Sequence, residues 1–224
     1  MAVSHTTKED IIEHISKDAS EKIDVVYEGM GLLPEVPSSP LPQKSTLVPN
    51  EENYLLYVGD WRPHKNLKRI LDIYILLKDK YKYTGKIIIV GSDKVFNMDF
   101  KKHYGTIEGI HFIGNLTDAQ LRQFYKNTDA LIMLSEYEGF GLPVVEAASF
   151  NRRIIVSDGG SLSEIAPDWA CIIPNRIEIE NAAKSIHQYL TKNLHIDSRR
   201  YLEKFNWENA VQKIFFQLPA KIHN

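Results

Sequence analysis

Residues 54–91 read YLLYVGDWRPHKNLKRILDIYILLKDKYKYTGKIIIVG, and this stretch decides the fold. Its first five residues and the segment Lys86–Val90 are almost wholly apolar, so each is predicted to be a strand that is buried on both faces. Between them, Leu67–Tyr81 repeats apolar residues at the spacing of an α-helix. A strand, a helix and a second buried strand in succession are typical of a parallel sheet covered by helices on both sides.

The same alternation continues along the rest of the chain. Further strands are predicted at 110–113, 130–134, 154–156 and 170–173. Helices are predicted at 117–126, from about residue 143, at 178–191 and in two segments near the C-terminus. The sequence therefore predicts an α/β fold with a Rossmann-like, doubly wound parallel sheet.

The first 52 residues differ from this pattern. Residues 1–28 contain a predicted helix, with Thr6 and Glu9 as a capping box at its start, and a predicted strand over Lys22–Tyr27. Residues 29–52 contain five of the ten prolines, which exclude a helix or a central strand there. We therefore predict three parts: a short N-terminal segment, a Pro-rich linker, and an α/β domain over 53–224.

The charge balance excludes a general affinity for polyanions. Among the 224 residues, Lys and Arg number 27 and Asp and Glu number 29, which gives a net charge of −2. No global positive field is present to hold nucleic acid or an anionic membrane, so we expect no nucleic-acid partner. Any basic site has to be local.

The cysteine content and the lengths of the apolar runs indicate the cellular compartment of the protein. The single cysteine, Cys171, excludes an internal disulfide framework. The longest apolar runs are far shorter than the roughly 18 residues that a membrane span needs, and charges occupy the region where a signal peptide has its apolar core. These features predict a cytoplasmic protein that is at most peripheral at the membrane.

The chemistry is expected in the loops at the carboxyl ends of the strands, where ligands of such sheets bind. The loop 59–66 leads into a helix for which Asn66 is the predicted N-cap. Four cations crowd the start of that helix, where the helix dipole is already positive: Arg62, Lys65, Lys68 and Arg69. Cations and backbone N–H groups that converge on one point make a phosphate site. The alternative is that these are solvated surface charges.

The loop 135–147, SEYEGFGLPVVEA, carries a second set of ligand-binding features. Gly139 and Gly141 allow the backbone to approach a ligand closely, and the helix that follows presents its N-terminus to the cleft. Two carboxylates, Glu138 and Glu146, would repel a phosphate, so we expect them to accept hydrogen bonds from sugar hydroxyls. A phosphate site beside a polyol site indicates a nucleotide sugar. The alternatives are that Glu138 complements the helix dipole and that Glu146 is an exposed helix residue.

The run from Glu138 to Glu146 resembles the Glu-x7-Glu signature of family four of the glycosyltransferases, enzymes of the GT-B fold. Further motifs resemble elements of this family in the same order: YVG at 57–59 with PHKN at 63–66, IVG at 89–91, FIGNLT at 112–117, and DGGS at 158–161 followed by Glu164. The resemblance covers about residues 51–218. It implies the C-terminal, nucleotide-sugar-binding half of a GT-B fold, with residues 1–28 as a remnant of the N-terminal domain's edge and the interdomain strand.

The resemblance implies a role for each matching residue. Lys65, with Arg62, would bind the donor diphosphate, and Glu138 would act with them as a catalytic group that contacts the sugar. Glu146 would hold the ribose hydroxyls. The other implied substrate-binding positions are Gly59 in the phosphate loop, Gly91, Asn115 and Leu116 at the base, and Gly139, Phe140, Gly141 and Leu142 in the loop after Glu138. Many relatives carry an arginine where this chain has His64 or Asp60, so the cation that accompanies Lys65 stays open.

The resemblance also implies that no metal ion holds the diphosphate. The sequence lacks the Asp-x-Asp motif with which the other major glycosyltransferase fold binds a divalent ion. Its eight histidines show no metal-ligand spacing. We expect no metal and no cofactor, with the nucleotide sugar as the substrate.

The implied activity is retaining transfer of a hexosyl group from a nucleotide-diphosphate sugar to an acceptor sugar or a lipid-linked glycan, as in polysaccharide biosynthesis. This chain would supply the donor-binding half, and the acceptor half would come from an N-terminal domain or subunit. The alternative is a non-catalytic nucleotide-sugar-binding module that completes or regulates a partner. A nicotinamide dehydrogenase is disfavoured, because no Gly-x-Gly-x-x-Gly follows the strand at 54–58.

An apolar stripe near the C-terminus bears on that partner. Four residues stand at helical spacing: Trp207, Val211, Ile214 and Phe215. In the resembled fold this stripe packs partly against the N-terminal domain, and the alternative is that it covers the sheet of its own domain. We expect part of it, and the apolar side of the helix at 11–15, to be exposed, and we therefore expect self-association or an acceptor-domain partner.

Overall fold

A computed structural model describes residues 1–31, 53–91 and 98–217. The strands are β1 Tyr54–Val58, β2 Lys86–Val90, β3 Ile110–Ile113, β4 Ala130–Met133, β5 Arg153–Ser157 and β6 Cys171–Ile173. They form one sheet in the order β3-β2-β1-β4-β5-β6, and every neighbouring pair is parallel. The predicted α/β class and doubly wound parallel sheet are therefore confirmed. The predicted linker lies, from residue 32 onward, outside the described residues.

The helices are α1 His5–His14, α2 Leu67–Tyr81, α3 Met98–Gly105, α4 Asp118–Asn127, α5 Leu142–Ser149, α6 Leu162–Ile165, α7 Ile179–Leu190, α8 Arg199–Leu202 and α9 Trp207–Gln212. Short 3₁₀ turns lie at Lys17–Ala19 and Pro63–Lys65, and a π turn lies at Lys213–Gln217. The strands and helices predicted in the sheet domain have the expected bounds to within one residue. The sequence pattern missed α3 and the single-turn helix α6.

The sheet separates two apolar cores because side chains alternate along each strand. On β1, Leu55 and Tyr57 pack in one core with α2 and α7, whereas Tyr54 and Leu56 pack in the other with α4 and α5. All four side chains are fully buried. Strands with no solvent-facing side are what the unbroken apolar runs predict.

The order of the strands reverses between β1 and β4. The chain moves from β1 outward to β2 and β3, then returns to the other side of β1 with β4. Since the strands are parallel, the loops that follow β1 and β4 leave the same edge of the sheet side by side. Such a reversal is the general position of ligand sites in open α/β sheets.

Residues 1–31 pack against this domain, but the strand predicted over 22–27 is not formed. A single parallel bridge joins Ala2 to Val25. The Ala2 amide donates to Asp24 O at 2.9 Å, and the Val26 amide donates to Ala2 O at 2.9 Å. The chain turns into α1 three residues after Ala2, so a longer ladder cannot form.

The capping box predicted at Thr6 and Glu9 is wrong, because α1 begins two residues earlier than that box requires. Ser4 is the N-cap, and its hydroxyl accepts from the Thr7 amide at 3.0 Å. Thr6 lies in the first turn and its side chain donates elsewhere, as described below.

Apolar side chains are exposed near both ends of the described chain. The exposed fractions are 78% for Ile15, 52% for Trp207, 44% for Val211 and 65% for Phe215. This confirms the predicted exposure of part of the C-terminal stripe. At α1, Ile15 just beyond the helix end is exposed, whereas Ile11 and Ile12 are half-buried. None of the described helices combines the length and apolarity needed to cross a bilayer.

Candidate functional site

Lys65 and Glu138 meet where the loops after β1 and β4 leave the sheet. Lys65 Nζ lies 2.7 Å from one Glu138 carboxylate oxygen and 2.8 Å from the other. The exposed fraction is 16% for the lysine side chain and 10% for the glutamate. The structure thus brings together two residues for which the family resemblance implies catalytic roles. An ammonium has three N–H donors, and Glu138 accepts two of them.

The loop that carries Lys65 is fixed by its own backbone and by the second loop. Pro63–Lys65 forms a 3₁₀ turn that ends at Asn66, which has a φ of 55°. Asn66 is the predicted N-cap of α2, but its side chain makes no capping hydrogen bond. It is instead the left-handed residue that joins the turn to the helix. The Glu136 amide donates to His64 O at 2.7 Å, which ties the two loops together.

All four predicted phosphate cations have partners within the chain, and two of them are held away from the loop that carries Lys65. Lys68 forms an ion pair with Asp72 one turn along α2, at 2.6 Å. Arg69 donates to backbone carbonyls after β6, including Ile177 O at 2.7 Å. Arg62 stays at the loop, where Asp60 holds its guanidinium at 2.9 Å, and 59% of its side chain is exposed. The four cations therefore do not converge, and Lys65 with Arg62 is the pair that remains beside the cleft.

The Glu138 loop rests on the turn after β5. An added Cβ at Gly159 would lie 2.3 Å from Ser135 O, and one at Gly160 would lie 2.4 Å from Glu138 O. Gly160 also has a φ of 58°. The Ser161 hydroxyl donates to the carbonyls of Glu138 and Phe140, at 3.0 and 2.8 Å. Only a residue without a side chain permits so close a stacking of backbones, so both glycines position Glu138.

The backbone after Glu138 is held from the other side by α1. Gly139 O accepts from the Ser4 hydroxyl at 2.8 Å and from the Thr7 hydroxyl at 3.1 Å. Phe140 is buried, and Gly141 has a φ of 101° immediately before α5. Leu142, the first residue of α5, packs against the core. These four predicted substrate-binding positions therefore form a rigid turn around Glu138.

Glu164 attaches α1 to the same region. The amides of His5 and Thr6 donate to its carboxylate at 2.8 and 3.0 Å, and the hydroxyls of Thr6 and Tyr27 each donate at 2.9 Å. Burial raises the pKa of Glu164, but these hydrogen bonds outweigh burial and hold the pKa below its ordinary value. The negative charge also lies at the positive end of α1. Glu164 is therefore a structural clamp between the N-terminal segment and the sheet domain.

Glu146 lies in the first turns of α5, half-buried rather than exposed. The Tyr125 hydroxyl donates to its Oε2 at 2.8 Å, and its Oε1 faces Gly31, where an added Cβ would lie 3.3 Å away. Burial raises the pKa of Glu146, the nearby Asp118 charge raises it further, and the Tyr125 hydrogen bond lowers it in part. The alternative of an ordinary exposed helix residue is therefore wrong.

Gly59 and Gly91 lie side by side at the ends of β1 and β2. An added Cβ at Gly91 would stand 1.9 Å from Gly59 O. The Gly91 amide donates to Ile113 O at 3.2 Å, which sets the third strand end beside them. Asn115 is exposed and Leu116 is half-buried in the turn that follows β3. The predicted base-binding positions thus share one edge of the sheet with Lys65.

Four supporting residues received no role from the sequence. Ser135 donates to Glu138 Oε1 at 2.7 Å, and Tyr125 donates to Glu146 as described above. Ser4 and Thr7 hold the Gly139 carbonyl. The position of Ser135, directly after a buried strand, is a signal that could have marked it, whereas the others act through contacts distant in sequence. Among the described residues, no group of three or more His, Cys, Asp and Glu side chains is placed to hold a metal ion.

The chain is similar in sequence to known proteins. The chain is 29% identical to an O-antigen chain mannosyltransferase B of Escherichia coli over 194 residues, which cover 80% of this chain and 49% of that protein. It is 27% identical to the O-antigen chain mannosyltransferase RfbU of Salmonella typhimurium, over 96% of this chain and 57% of that protein. The chain thus spans about half the length of these relatives.

Solved structures share the fold. A sucrose-phosphate synthase from Thermosynechococcus elongatus superposes with a TM-score of 0.75 at 19% identity, over 98% of this chain and 58% of that one. This agrees with the C-terminal half of a GT-B fold. The family of glycosyl transferases group 1 matches residues 40–206, which is most of the chain and includes both loops of the site. The chain therefore belongs to the group 1 family of glycosyl transferases.

Proposed function

We propose that this chain is the donor-binding half of a retaining glycosyltransferase that uses a nucleotide-diphosphate sugar. The observation that carries the proposal is the contact of Lys65 with both carboxylate oxygens of Glu138 at the point where the strand order reverses. A cation and a carboxylate at this point can bind the two chemically different parts of a nucleotide sugar, its phosphates and its hydroxyls.

The residues support breakage of the bond between the sugar and the diphosphate. As that bond breaks, negative charge develops on the departing diphosphate. The Lys65 ammonium and the Arg62 guanidinium would stabilise this charge, together with backbone N–H groups near the start of α5. Glu138 accepts hydrogen bonds from the sugar. The side chains supply the positive charge, so we propose that the reaction needs no metal ion.

We further propose that a mannosyl group is transferred to a glycan acceptor, free or lipid-linked. The two relatives described above are named mannosyltransferases of O-antigen chains, which supports both the sugar and a role in polysaccharide biosynthesis. The acceptor would bind mainly to an N-terminal domain, as a part of the same protein or as a separate subunit.

Binding of nucleoside diphosphates tests the donor site directly. We expect a guanosine or uridine diphosphate, or its mannose ester, to bind equally well with and without a chelator, measured by ligand-observed NMR and calorimetry. Loss of binding on chelation would show that a metal ion is needed. Absence of binding by every nucleotide of the panel would overturn the donor-site proposal itself.

Changing Glu146 tests the ribose contact. Glu146→Gln should reduce the preference for ribose over 2′-deoxyribose nucleotides by about 1 kcal/mol or more, because a carboxylate is a stronger acceptor than an amide. In the unchanged chain the same preference should fall on acidification at a higher pH than for an exposed glutamate, since burial raises the pKa of Glu146. A preference that is equal in both chains and independent of pH would remove Glu146 from this role.

The raised pKa of Glu146 also determines how the stability of the fold changes with pH. The folded-state pKa of Glu146 is the higher one, so its ionised form costs stability at neutral pH, and this cost disappears as the pH falls through that pKa. Glu146→Gln should therefore show a smaller gain of stability on acidification. Urea unfolding of both chains at two pH values measures the difference.

Exposed apolar surface supports a partner for this chain. Trp207 is anchored through Nε1, which donates to Met30 O at 3.1 Å, yet half of its side chain area faces solvent beside Val211 and Phe215. We expect the purified chain to self-associate, or to bind a separately supplied acceptor domain, and to transfer sugar only when that domain is present. Light scattering and a transfer assay test both statements. A monomer that transfers sugar alone would contradict them.

A further inference from the structure

A cleft lies between α1 and α9, on the outer side of the N-terminal segment. Its volume is about 360 Å³, and it is open to solvent on one side. The segment 23–27 and Ala210 are among the residues that line it. This volume is in the range of small-molecule sites and exceeds that of a single phosphate group.

Three lysines from separate elements line the cleft: Lys8 of α1, Lys204 before α9, and Lys213 after it. Lys213 Nζ donates to Val25 O at 2.7 Å, a carbonyl rather than a carboxylate. The backbone amides of Lys8 and Lys204 donate to Ser4 O and Tyr201 O. Their side-chain ammonium groups make no hydrogen bond or ion pair with the described residues. Asp24 is the one carboxylate among the lining residues, so the cleft carries an excess of positive charge in a chain whose net charge is −2.

Other lining groups suit an organic ligand. The rings of His5 and Tyr27 meet edge to face, 6.2 Å between centroids, and form an aromatic wall. Asn209 also lines the cleft and adds an amide side chain. A wall of rings facing ammonium groups matches a molecule with an anionic end and a neutral end.

We propose that this cleft is a second binding site, for a phosphate ester or a diphosphate ester of a small polyol. Ammonium groups are compact point charges that bind phosphate oxygens, and several that face one concave surface focus the field there. The ligand is either a soluble phosphate or the headgroup of an anionic lipid. The site is distinct from the Lys65 site, and the proposal does not depend on the proposed function.

The cleft also touches the supports of the Glu138 loop. The Tyr27 ring lies 6.2 Å from that of Phe140, and the Tyr27 hydroxyl donates to Glu164. A ligand against Tyr27 would therefore lie one side chain away from the turn that holds Glu138, without occupying the donor site.

Amide chemical shifts of the ¹⁵N-labelled chain test the site with glycerol 3-phosphate and pyrophosphate as probes. We expect saturable shifts at residues 24–27 and 206–210, read separately from any shifts at 135–141. The double change of Lys8→Ala and Lys204→Ala should weaken binding at the cleft about tenfold or more. Its control is Lys126→Ala with Lys184→Ala, which removes equal charge from two exposed lysines of α4 and α7. Equal loss in both double variants, or no saturable shift at the cleft, would overturn a phosphate-ester site of soluble origin.

Vesicles distinguish the source of the phosphate. Co-sedimentation with phosphatidylglycerol but not phosphatidylcholine, abolished by the Lys8 and Lys204 changes only, assigns the cleft to a lipid headgroup. Binding of the soluble probes without co-sedimentation assigns it to a soluble ester. The proposal is overturned altogether if the soluble probes do not bind at the cleft and no co-sedimentation depends on these two lysines.

Discussion

Lys65→Ala is expected to weaken the binding of a nucleoside diphosphate about 10- to 100-fold. Charge-assisted hydrogen bonds to phosphate contribute about 1.5 to 3 kcal/mol each, and the lysine side chain is mostly removed from solvent. Glu138 accepts two of the three N–H groups of Lys65, so the third is available to the diphosphate. The substitution removes this hydrogen bond to the ligand. Isothermal calorimetry at fixed salt measures the change.

The same substitution should also lower the stability of the free chain. It leaves the carboxylate of Glu138 nearly buried, with the Ser135 hydroxyl as a remaining partner. Removing one partner of a buried ion pair costs about 3 kcal/mol, less here because some water reaches the pair. Combining Lys65→Ala with Glu138→Ala removes the uncompensated charge, so the double variant should regain stability while binding stays weak.

Lys68→Ala is the matched control for the loss of binding. Lys68 is three residues away, and its ammonium pairs with Asp72 on the solvent side of α2. Its removal should change diphosphate affinity less than twofold, apart from the general effect of one surface charge. Equal loss of affinity in the two variants would show that the phosphate is attracted by the overall charge of this helix and not held by Lys65.

Much of the sheet domain could be predicted because its strands and helices differ in pattern. A strand such as β2, apolar on both faces, and a helix such as α2, apolar on one stripe, are specified by neighbouring residues alone. The short N-terminal segment was harder. Its alternating residues predict a strand, but a strand also needs a pairing partner, and within 1–31, 53–91 and 98–217 only Ala2 pairs with it.

The candidate site was predictable in its residues but not in their partners. Topology brings the loops after β1 and β4 together, so the loops that carry Lys65 and Glu138 are neighbours once the sheet order is known. Their direct pairing, and the capture of Arg69 by carbonyls 108 residues away at Ile177, depend on loop geometry that no local pattern encodes. Charge crowding at a helix start therefore predicted a convergence of four cations, of which Lys68 and Arg69 are held elsewhere.

For the glycines of the site, too, the sequence predicts the type of local structure but not the contacts. Gly91 and Gly160 can be recognised in the sequence as turn residues, but the sequence does not say which backbone each one faces. In the structure each faces the carbonyl of a neighbouring loop. These contacts make the precise position of the loops depend on the absence of a single methyl group.

Gly91→Ala should therefore be among the most damaging single changes in this domain. The new Cβ would stand 1.9 Å from Gly59 O and 2.8 Å from the Gly59 carbonyl carbon, and Gly91 has a φ of 133°. Neither backbone can yield without separating β1 from β2, whose ends are also joined by the hydrogen bond from the Gly59 amide to Val90 O. We expect a loss of about 3 kcal/mol or more in the free energy of unfolding, measured in urea.

Gly114→Ala is the control, because no atom lies within 4 Å of an added Cβ at Gly114 and its φ is not positive. Its effect on stability should stay within about 0.5 kcal/mol. Gly91→Ala should also weaken nucleotide binding, because displacement of Gly59 moves the loop that carries Lys65. This effect is expected without urea, at a temperature at which the chain stays folded. Equal unfolding midpoints for the two variants would show that the ends of β1 and β2 are not in the close contact from which the geometry of the phosphate loop is derived.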